Sequence, residues 1–384
     1  DIRIAAGGGA EVPVTPAMIA RAREAAERYL LRGHQPSLSD QRALRQFGER
    51  DSAAISQQLR ALMGGTWALL NFDISGETAA GAQALPPTLQ EATSLFEIAR
   101  TDPALHSLSQ VGLASIRFTD AAQRHNYSPE ACEQVFAALQ GINNGLSAPR
   151  PLYWRAQCER KLGRTAAALS NYARSLAASA PVARELANQS GLRRETEAEN
   201  QLALDAYHGV GTTLIAAADL PEDTPGLAEA LETARQWCEI GAEGEGRSPR
   251  MALALACLRE AIALRRAQGQ SENQLSGSGE NISFAHLRDG DYDAAFLHAQ
   301  AVERTGLFAW NEAMRALAAS RAEVGSRAER RAALSAARRN VGLFTIGQFN
   351  ICELEALMNA DHFEALRQII AAEHPEGEVR CTAS

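Results

Sequence analysis

A fixed repeat spacing near the C-terminus constrains the fold more than any other feature of the sequence. Gly290, Gly325 and Ala360 follow one another at intervals of 35 residues, and each lies between two segments of helical periodicity. The residues three and eight positions before them, and nine and twelve positions after them, are apolar in every copy. A period in the thirties with a small residue between two helices is typical of stacked helical hairpins. The sequence therefore predicts an array of such hairpins.

A further helical hairpin is predicted at residues 152–176. Its two helices meet at Leu162-Gly163-Arg164, small residues lie where the helices would touch, and Tyr172 can fill the gap to a neighbouring pair. No copy lies 34 or 35 residues to either side. We therefore interpret this unit as a regular hairpin between irregular ones.

The composition favours helix along the whole chain. Alanine, leucine, arginine and glutamate are frequent, whereas valine, isoleucine and threonine are comparatively scarce. The frequent types lose little rotamer freedom in a helix, so they favour that conformation. The expected fold class is all-α.

The segment Gly290–Ala295 carries the clearest resemblance to a known family. Its sequence GDYDAA places a glycine at the end of a first helix, Asp-Tyr after it, and an alanine where the two helices cross. This pattern resembles the tetratricopeptide repeat. Residues 162–181 follow the same pattern, residues 360–365 are a looser copy, and the Gly325 unit departs from it with Arg330 at the crossing position. The resemblance implies a right-handed superhelix, or solenoid, of stacked antiparallel helix pairs.

Together, the resemblance and the helical patterns divide the chain into four parts. These are a flexible N-terminal arm at 1–14, an irregular helical region at 15–145, tetratricopeptide-like and irregular helical hairpins at 146–270, and C-terminal tetratricopeptide-like repeats at 276–375. Two features of the second part stand out. Gly64-Gly65 predicts either a helix break or a close packing contact, and residues 72–87 are expected to form a long loop.

The resemblance also implies which residues would bind a ligand, because the first helices of tetratricopeptide hairpins line a concave groove. In the unit at 152–176 the groove residues would be Tyr153, Gln157 and Arg160. In the C-terminal units they would be Phe284, Leu287, Glu312, Arg315 and Asn350. An aromatic ring, amides and arginines suit an extended peptide with acidic side chains or a free C-terminus.

Arginines concentrate at residues 321–339. Arg327 and Arg331 fall on one helical face together with Arg338. Guanidinium groups pair with carboxylates bidentately, so this face can be a carboxylate-binding patch. The alternative is a solvated outer face whose arginines pair with neighbouring acids.

The charge pattern excludes several classes of function. The formal net charge is -8, which disfavours a nucleic-acid partner. Lys161 is the sole lysine and no GxxxxGK[ST] motif occurs, so a phosphate-binding loop of the Walker type is excluded. No run of about eighteen apolar residues occurs, so no membrane span is expected. Because the chain starts at Asp1, we expect that the natural N-terminus has been removed.

Cysteines and histidines show no metal-binding spacing. The six cysteines (Cys132, Cys158, Cys238, Cys257, Cys352 and Cys381) are widely and irregularly spaced without a CxxC, so they are expected to be unpaired and buried. That favours a cytoplasmic location, with a periplasmic or secreted protein as the alternative. His286 and His298 are expected to be packed or solvated, and the acidic run Asp289–Asp293 lacks the glycine and glutamate of a calcium loop. No metal and no cofactor is predicted.

The function predicted from these features is that of a non-catalytic scaffold or adaptor that binds a protein or peptide in a concave groove. Two alternatives remain open at the level of sequence. The array can be a sensor of a peptide or small molecule, or it can be the helical part of an all-α enzyme whose site lies in the irregular N-terminal region.

Overall fold

The computed structural model describes most of the first three quarters of the chain and isolated parts of the last. The described residues are 3–5, 11–13, 15–49, 55–140, 142, 148–187, 194–241, 247–267, 281–283, 285–303, 318, 321–329, 332, 360–361, 364–365 and 367–368. All structural statements below concern these residues.

Helices make up nearly all of the regular structure described. They are α1 (Pro16–Arg32), α2 (Leu38–Glu49), α3 (Gln57–Ser75), α4 (Pro87–Ala99), α5 (His106–Gln123), α6 (Pro129–Gln140), α7 (Pro149–Lys161), α8 (Thr165–Ala187), α9 (Arg194–Ala216), α10 (Leu227–Trp237), α11 (Pro249–Ala267) and α12 (Tyr292–Glu303). Residues 281–283 and 285–288 are helical as well. The all-α prediction is confirmed, whereas the superhelical arrangement of the hairpins stays a prediction.

Two short β-strands lie in the N-terminal arm. Strand β1 (Arg3–Ala5) pairs antiparallel with β2 (Glu11–Pro13), and Ile4 lies opposite Val12. This pair of strands was not predicted from the sequence. Two strands of three residues are too short to show an alternation of apolar and polar residues, which is the pattern by which strands are recognised.

Local sequence signals set several helix ends. The Thr15 hydroxyl accepts a hydrogen bond from Met18 N at 3.3 Å, and Pro16 takes the first helical position of α1. Gly33 ends α1 with φ 74°, and Gly163 lies between α7 and α8 with φ 70°. Both glycines adopt the left-handed conformation that other residues rarely adopt. The two helices predicted within 152–176 are therefore confirmed.

Gly64 and Gly65 lie inside an unbroken α3 and mark a close packing contact. A Cβ atom on Gly48 of α2 would lie 2.5 Å from the Cα of Gly64. A Cβ on Gly65 would lie 3.2 Å from the nearest atoms of the Phe96 ring in α4. The missing side chains let α2 and α4 pack closely against α3, so the second of the two interpretations is correct.

The loop that follows α3 is shorter than predicted. Residues 72–75 belong to α3, which ends at Gly76 with φ 68°. The remaining loop is bound to the end of α5, because Gln123 Oε1 accepts from Ala79 N at 2.7 Å and Arg124 donates to the carbonyl oxygens of Ala82 and Gln83 at 3.1 and 2.8 Å. Helix α5 therefore holds this loop mainly through the loop's own backbone groups.

A buried tyrosine joins α1, α3 and α7. Tyr29 donates its hydroxyl proton to Asp73 Oδ2 at 2.5 Å, and Arg150 donates to Tyr29 O at 2.9 Å. The Arg150 guanidinium also lies 4.9 Å from the centroid of the Tyr29 ring. Burial is the main cause that raises the pKa of Tyr29, so its hydroxyl stays protonated and acts as a donor.

The chain divides into two compact units. The first comprises residues 1–164 and 174–203, and the second comprises 165–173 and 204–384. In the first, the core runs from Tyr29 and Leu30 through α3, α4 and α5 to Trp154. In the second, Tyr172 and Tyr207 are fully buried, and a Cβ on Gly209 would lie 2.5 Å from the Tyr172 ring. Tyr172 thus fills a gap in a helical core, as expected. The four-part domain organisation stays a prediction.

A disulfide in the second unit corrects the expectation for the cysteines. Cys238, at the end of α10, is bonded to Cys257 of α11 with a Cα–Cα distance of 4.9 Å. The packing of α10 against α11 brings the two together, which their spacing of 19 residues does not reveal. Cys132 and Cys158 are unpaired and buried as predicted. Cys352 and Cys381 lie outside the described residues.

Candidate ligand-binding surface

The three groove residues predicted on α7 form a row along one face of that helix. Gln157 Nε2 donates to the Tyr153 hydroxyl at 2.6 Å, and Arg160 Nη2 donates to Gln157 Oε1 at 3.2 Å. Residues three and four apart lie on the same side of a helix, so the three positions that the resemblance implied form a row. All three side chains are half-buried, so each is fixed by neighbours and still reaches solvent.

Aromatic rings from three elements meet beside this row. The ring centroid of Phe118 in α5 lies 5.8 Å from that of Tyr127, 6.4 Å from that of Tyr153 and 5.8 Å from that of Trp154. Trp154 is buried in the core, whereas the other three rings are half-buried. Centroid distances between 4.5 and 7 Å are favourable for aromatic pairs. The result is a partly exposed aromatic patch on a rigid base.

An unusual backbone conformation positions Tyr127. Asn126 and Tyr127 have φ angles of 43° and 57°, in the left-handed region that residues other than glycine rarely adopt. The conformation is held by Tyr127 N, which donates to Ala121 O at 2.7 Å, and by the Cys132 thiol, which donates to Tyr127 O at 3.6 Å. Such strain persists where surrounding structure enforces it, and it clusters at functional sites.

Cations border the aromatic patch at the end of α7. The Lys161 ammonium lies 5.8 Å from the centroid of the Tyr127 ring, within cation–π range. Arg164 lies 5.4 Å from the Phe136 ring and pairs with Glu133 at 3.0 Å. We call the half-buried set the aromatic–cationic surface; it consists of Phe118, Tyr127, Tyr153, Gln157, Arg160 and Lys161.

The chemistry of this surface suits binding. Burial raises the pKa of Tyr127 to about 12, and the nearby Arg160 partly offsets that rise. The phenol is therefore a hydrogen-bond donor at ordinary pH and cannot serve as a base. The surface offers a guanidinium, an ammonium, a phenol and aromatic faces, which together fit a carboxylate-bearing chain.

The other predicted site residues fall elsewhere. Arg327 is exposed in the segment 326–329. Leu287 is buried, so it belongs to the core and was wrongly expected in a groove. Six predicted residues lie outside the described part of the chain: Phe284, Glu312, Arg315, Arg331, Arg338 and Asn350.

A polar cluster lies in the second unit. The rings of His286 and His298 stack with centroids 4.9 Å apart, and Arg247 Nη2 lies 2.5 Å from Asp291 Oδ2. Neither ring nitrogen of His286 makes a hydrogen bond to a residue that the structure describes, although Nδ1 lies 3.8 Å from Asp291 Oδ2. Burial is the main cause that lowers the pKa of His286 to about 3, and the positive charge of Arg247 adds to it. His286 is thus a neutral, packed histidine.

The acidic run at 289–293 is used to cap and fix the backbone. Asp291 Oδ1 accepts from Ala294 N at 3.0 Å at the start of α12. Asp293 Oδ1 accepts from Glu323 N and Val324 N at 2.7 and 3.2 Å. Asp289 Oδ1 accepts from the Ser248 hydroxyl at 3.1 Å. These contacts account for the acidic residues without a calcium ion, and no group of three or more potential metal ligands occurs in the described residues.

Within the part of the chain that the structure describes, no helix is long and apolar enough to cross a membrane. Comparisons with known proteins bring no relative: the chain matches no family model, no curated protein and no solved structure.

Proposed function

We propose that this protein is a non-catalytic scaffold or adaptor, and that its aromatic–cationic surface binds an extended, acidic peptide segment of a partner protein. The observation that carries the proposal is the hydrogen-bonded row Tyr153–Gln157–Arg160 beside the half-buried rings of Phe118 and Tyr127. The tetratricopeptide-like stacking of the hairpins, in which such rows line a groove, is part of the same proposal.

The arrangement lowers the entropic cost of binding. The Arg160 guanidinium is already oriented by Gln157, and the Tyr153 ring by Gln157 and Phe118, so little side-chain freedom is lost when a ligand arrives. Rigid aromatic rings supply contact area, and a guanidinium supplies directed hydrogen bonds to a carboxylate.

Local charge supports an acidic ligand. The chain as a whole carries -8, yet Arg160, Lys161 and Arg164 follow one another within five residues at the end of α7. Arg164 also pairs with the exposed Glu133. A basic area on an acidic protein directs an acidic partner to that area and repels it elsewhere.

The charge-reversing substitution Arg160→Glu tests the proposal. An array of acidic peptides, each with a free or an amidated C-terminus, is screened with the wild-type protein, and the strongest binder is measured by fluorescence anisotropy. We expect Arg160→Glu to weaken that peptide at least tenfold, because a hydrogen bond to a charged group contributes about 1.5–3 kcal/mol. The melting temperature should stay nearly unchanged, since Arg160 is half-buried at the surface and does not belong to the core.

The matched control is Arg23→Glu, which makes the same charge change at an exposed position of α1. It should leave peptide affinity unchanged. The proposal fails if no acidic peptide binds the wild-type protein, or if the two variants lose affinity equally.

A further inference from the structure

We propose that the acidic segment bound by the aromatic–cationic surface carries a proline three residues from its acidic side chain, and that it binds in the polyproline II conformation. This assignment rests on the proposed function and narrows it from any acidic segment to a defined class of sequence. Three features of the surface carry it: the angles between the rings, the excess of hydrogen-bond donors, and the distance along α7 from the rings to the cations.

The exposed rings of the surface are set at an angle to one another and form a notch. The ring of Phe118 makes an interplanar angle of 57° with the ring of Tyr127 and 65° with the ring of Tyr153. Phe118 is also stacked on the buried Trp154 at an angle of 26°, which fixes its position. Aromatic-lined notches are the places at which proline-containing segments dock.

The polar groups of the surface are mainly hydrogen-bond donors. The phenol of Tyr127 is a donor, and the side chains of Arg160 and Lys161 carry donors only. The two side-chain acceptors of the row already accept a hydrogen bond, because Gln157 donates to the Tyr153 hydroxyl and Arg160 donates to Gln157 Oε1. A bound segment therefore finds donors for its carbonyl oxygens, whereas its own N–H groups find few acceptors.

Proline is the residue that suits such a surface. Two carboxylates of α6 and α7 are engaged in ion pairs, Glu133 with Arg164 at 3.0 Å and Glu159 with Arg155 at 3.1 Å. An N–H group of the ligand that is covered without an acceptor costs binding free energy. Proline has no backbone N–H, so it can be covered without that cost. In the polyproline II conformation the backbone makes no internal hydrogen bonds, so its carbonyl oxygens can accept from the surface.

The length of the row sets the spacing within the ligand. Tyr153 and Arg160 lie seven positions apart on α7, which corresponds to about 10 Å along the helix axis. A polyproline II segment rises about 3.1 Å per residue and has three residues per turn, so residues three apart span about 9 Å and lie on the same side. A proline in the notch therefore places the residue three positions away at Arg160 and Lys161, where a carboxylate pairs with the guanidinium.

Fluorescence anisotropy with labelled peptides and the full-length protein tests this ligand. The peptides carry Pro-Ala-Ala-Glu or the reverse order Glu-Ala-Ala-Pro between Gly-Ser flanks, because both chain directions give the same spacing. We expect the tighter of the two to weaken about fivefold or more when alanine replaces its proline. N-methylalanine, which lacks the N–H but has no ring, should restore part of the affinity. Moving the glutamate to two residues from the proline should weaken binding as well, since it turns the carboxylate away from the cations.

Substitutions in the protein separate the notch from the cations. Phe118→Leu should remove most of the difference in affinity between the proline and alanine peptides, and it should keep the difference between glutamate and glutamine peptides. Arg160→Glu should have the opposite effect, as expected for two contacts that act independently. Tyr127→Leu removes a ring of the notch that is not stacked on Trp154, so it repeats the first test if Phe118→Leu lowers the melting temperature. Arg23→Glu again serves as the control.

The outcomes distinguish this ligand from the proposed function. Equal affinities for the proline and alanine peptides would overturn the ligand, whereas a loss of affinity on changing glutamate to glutamine would still support an acidic partner. A preference for proline that survives both Phe118→Leu and Tyr127→Leu would place the contact elsewhere and refute the notch. If no peptide of the set binds the wild-type protein and no other acidic peptide does, the proposed function fails and the ligand class fails with it.

Discussion

Replacing Gly112 by alanine is expected to lower the free energy of unfolding by about 2 kcal/mol. Gly112 lies in α5 against the ring of Phe96 in α4, and an added Cβ would lie 2.5 Å from two of the ring atoms. Real Cβ atoms do not approach a ring so closely, so either the ring or the helix must move. The gain in helix propensity, about 1 kcal/mol for alanine over glycine, only partly offsets the cost of that movement.

The Phe96 ring has little room to give way. It is completely buried, and Gly65 of α3 also approaches it, so that a Cβ added there would lie 3.2 Å from the ring. Two glycines from different helices thus face one ring. Gly65→Ala is expected to be less harmful than Gly112→Ala, because its Cβ needs a shift of only a few tenths of an ångström.

Urea unfolding of the single and double variants tests this explanation. Phe96→Leu alone should destabilise the protein, because it removes buried apolar volume. In the Gly112→Ala background the same change should cost much less or become favourable, since the smaller side chain removes the collision. Additive effects in this double-mutant cycle would show that the ring contact is not the cause.

Acidification is expected to destabilise the second unit through His286. The folded-state pKa of His286 is about 3, well below its ordinary value of 6.5, so the unfolded chain binds a proton that the folded protein does not. This contribution to stability is fully present above pH 6.5 and is lost as the pH falls from 6.5 towards 3. The loss approaches about 1.4 kcal/mol per pH unit within that window.

The surroundings of His286 explain why its pKa is lowered and not raised. Its ring is buried and stacked on His298, and the cations Arg247 and Arg259 oppose a further positive charge. The carboxylate of Asp291 acts in the opposite direction but is outweighed. Burial lowers the pKa of His298 as well, so the two histidines contribute with the same sign.

Chemical denaturation at pH 7 and pH 5 measures the effect. The wild-type protein should lose about 2 kcal/mol from His286 over this interval. His286→Leu keeps the site buried and apolar and should remove most of that dependence, and His298→Leu should reduce it as well. If His286→Leu loses as much free energy of unfolding between pH 7 and pH 5 as the wild-type protein, other groups cause the pH dependence.

Features that depend on neighbouring residues in the chain could be predicted from the sequence. The Thr15-Pro16 start of α1 and the turn at Gly163 follow from capping and from glycine's left-handed conformation. The residues Tyr153, Gln157 and Arg160 were predicted from the tetratricopeptide resemblance, and helical spacing places them in one row. In these cases the local preference and the final structure agree.

Features that depend on contacts between distant segments could not be predicted. Cys238 and Cys257 meet only because α10 packs on α11. The left-handed backbone of Tyr127 has no local signal, because tyrosine does not favour that conformation. Phe118, Tyr127 and Lys161 of the candidate surface were therefore missed, although Tyr153, Gln157 and Arg160 were predicted.

The loop after α3 has a practical consequence for anyone who wishes to follow this protein in solution. Its attachments to Gln123 and Arg124 use mainly backbone atoms of Ala79, Ala82 and Gln83, and the Thr78 hydroxyl accepts a hydrogen bond from Ala80 N at 3.1 Å. At Gly81 an added side chain would meet open space, although φ 73° favours glycine itself. A short epitope or fluorophore-binding tag inserted after Ala80 therefore replaces only the turn that Ala82 N closes onto Ala79 O, and it provides a reporter in the first unit that leaves the Cys238–Cys257 disulfide untouched.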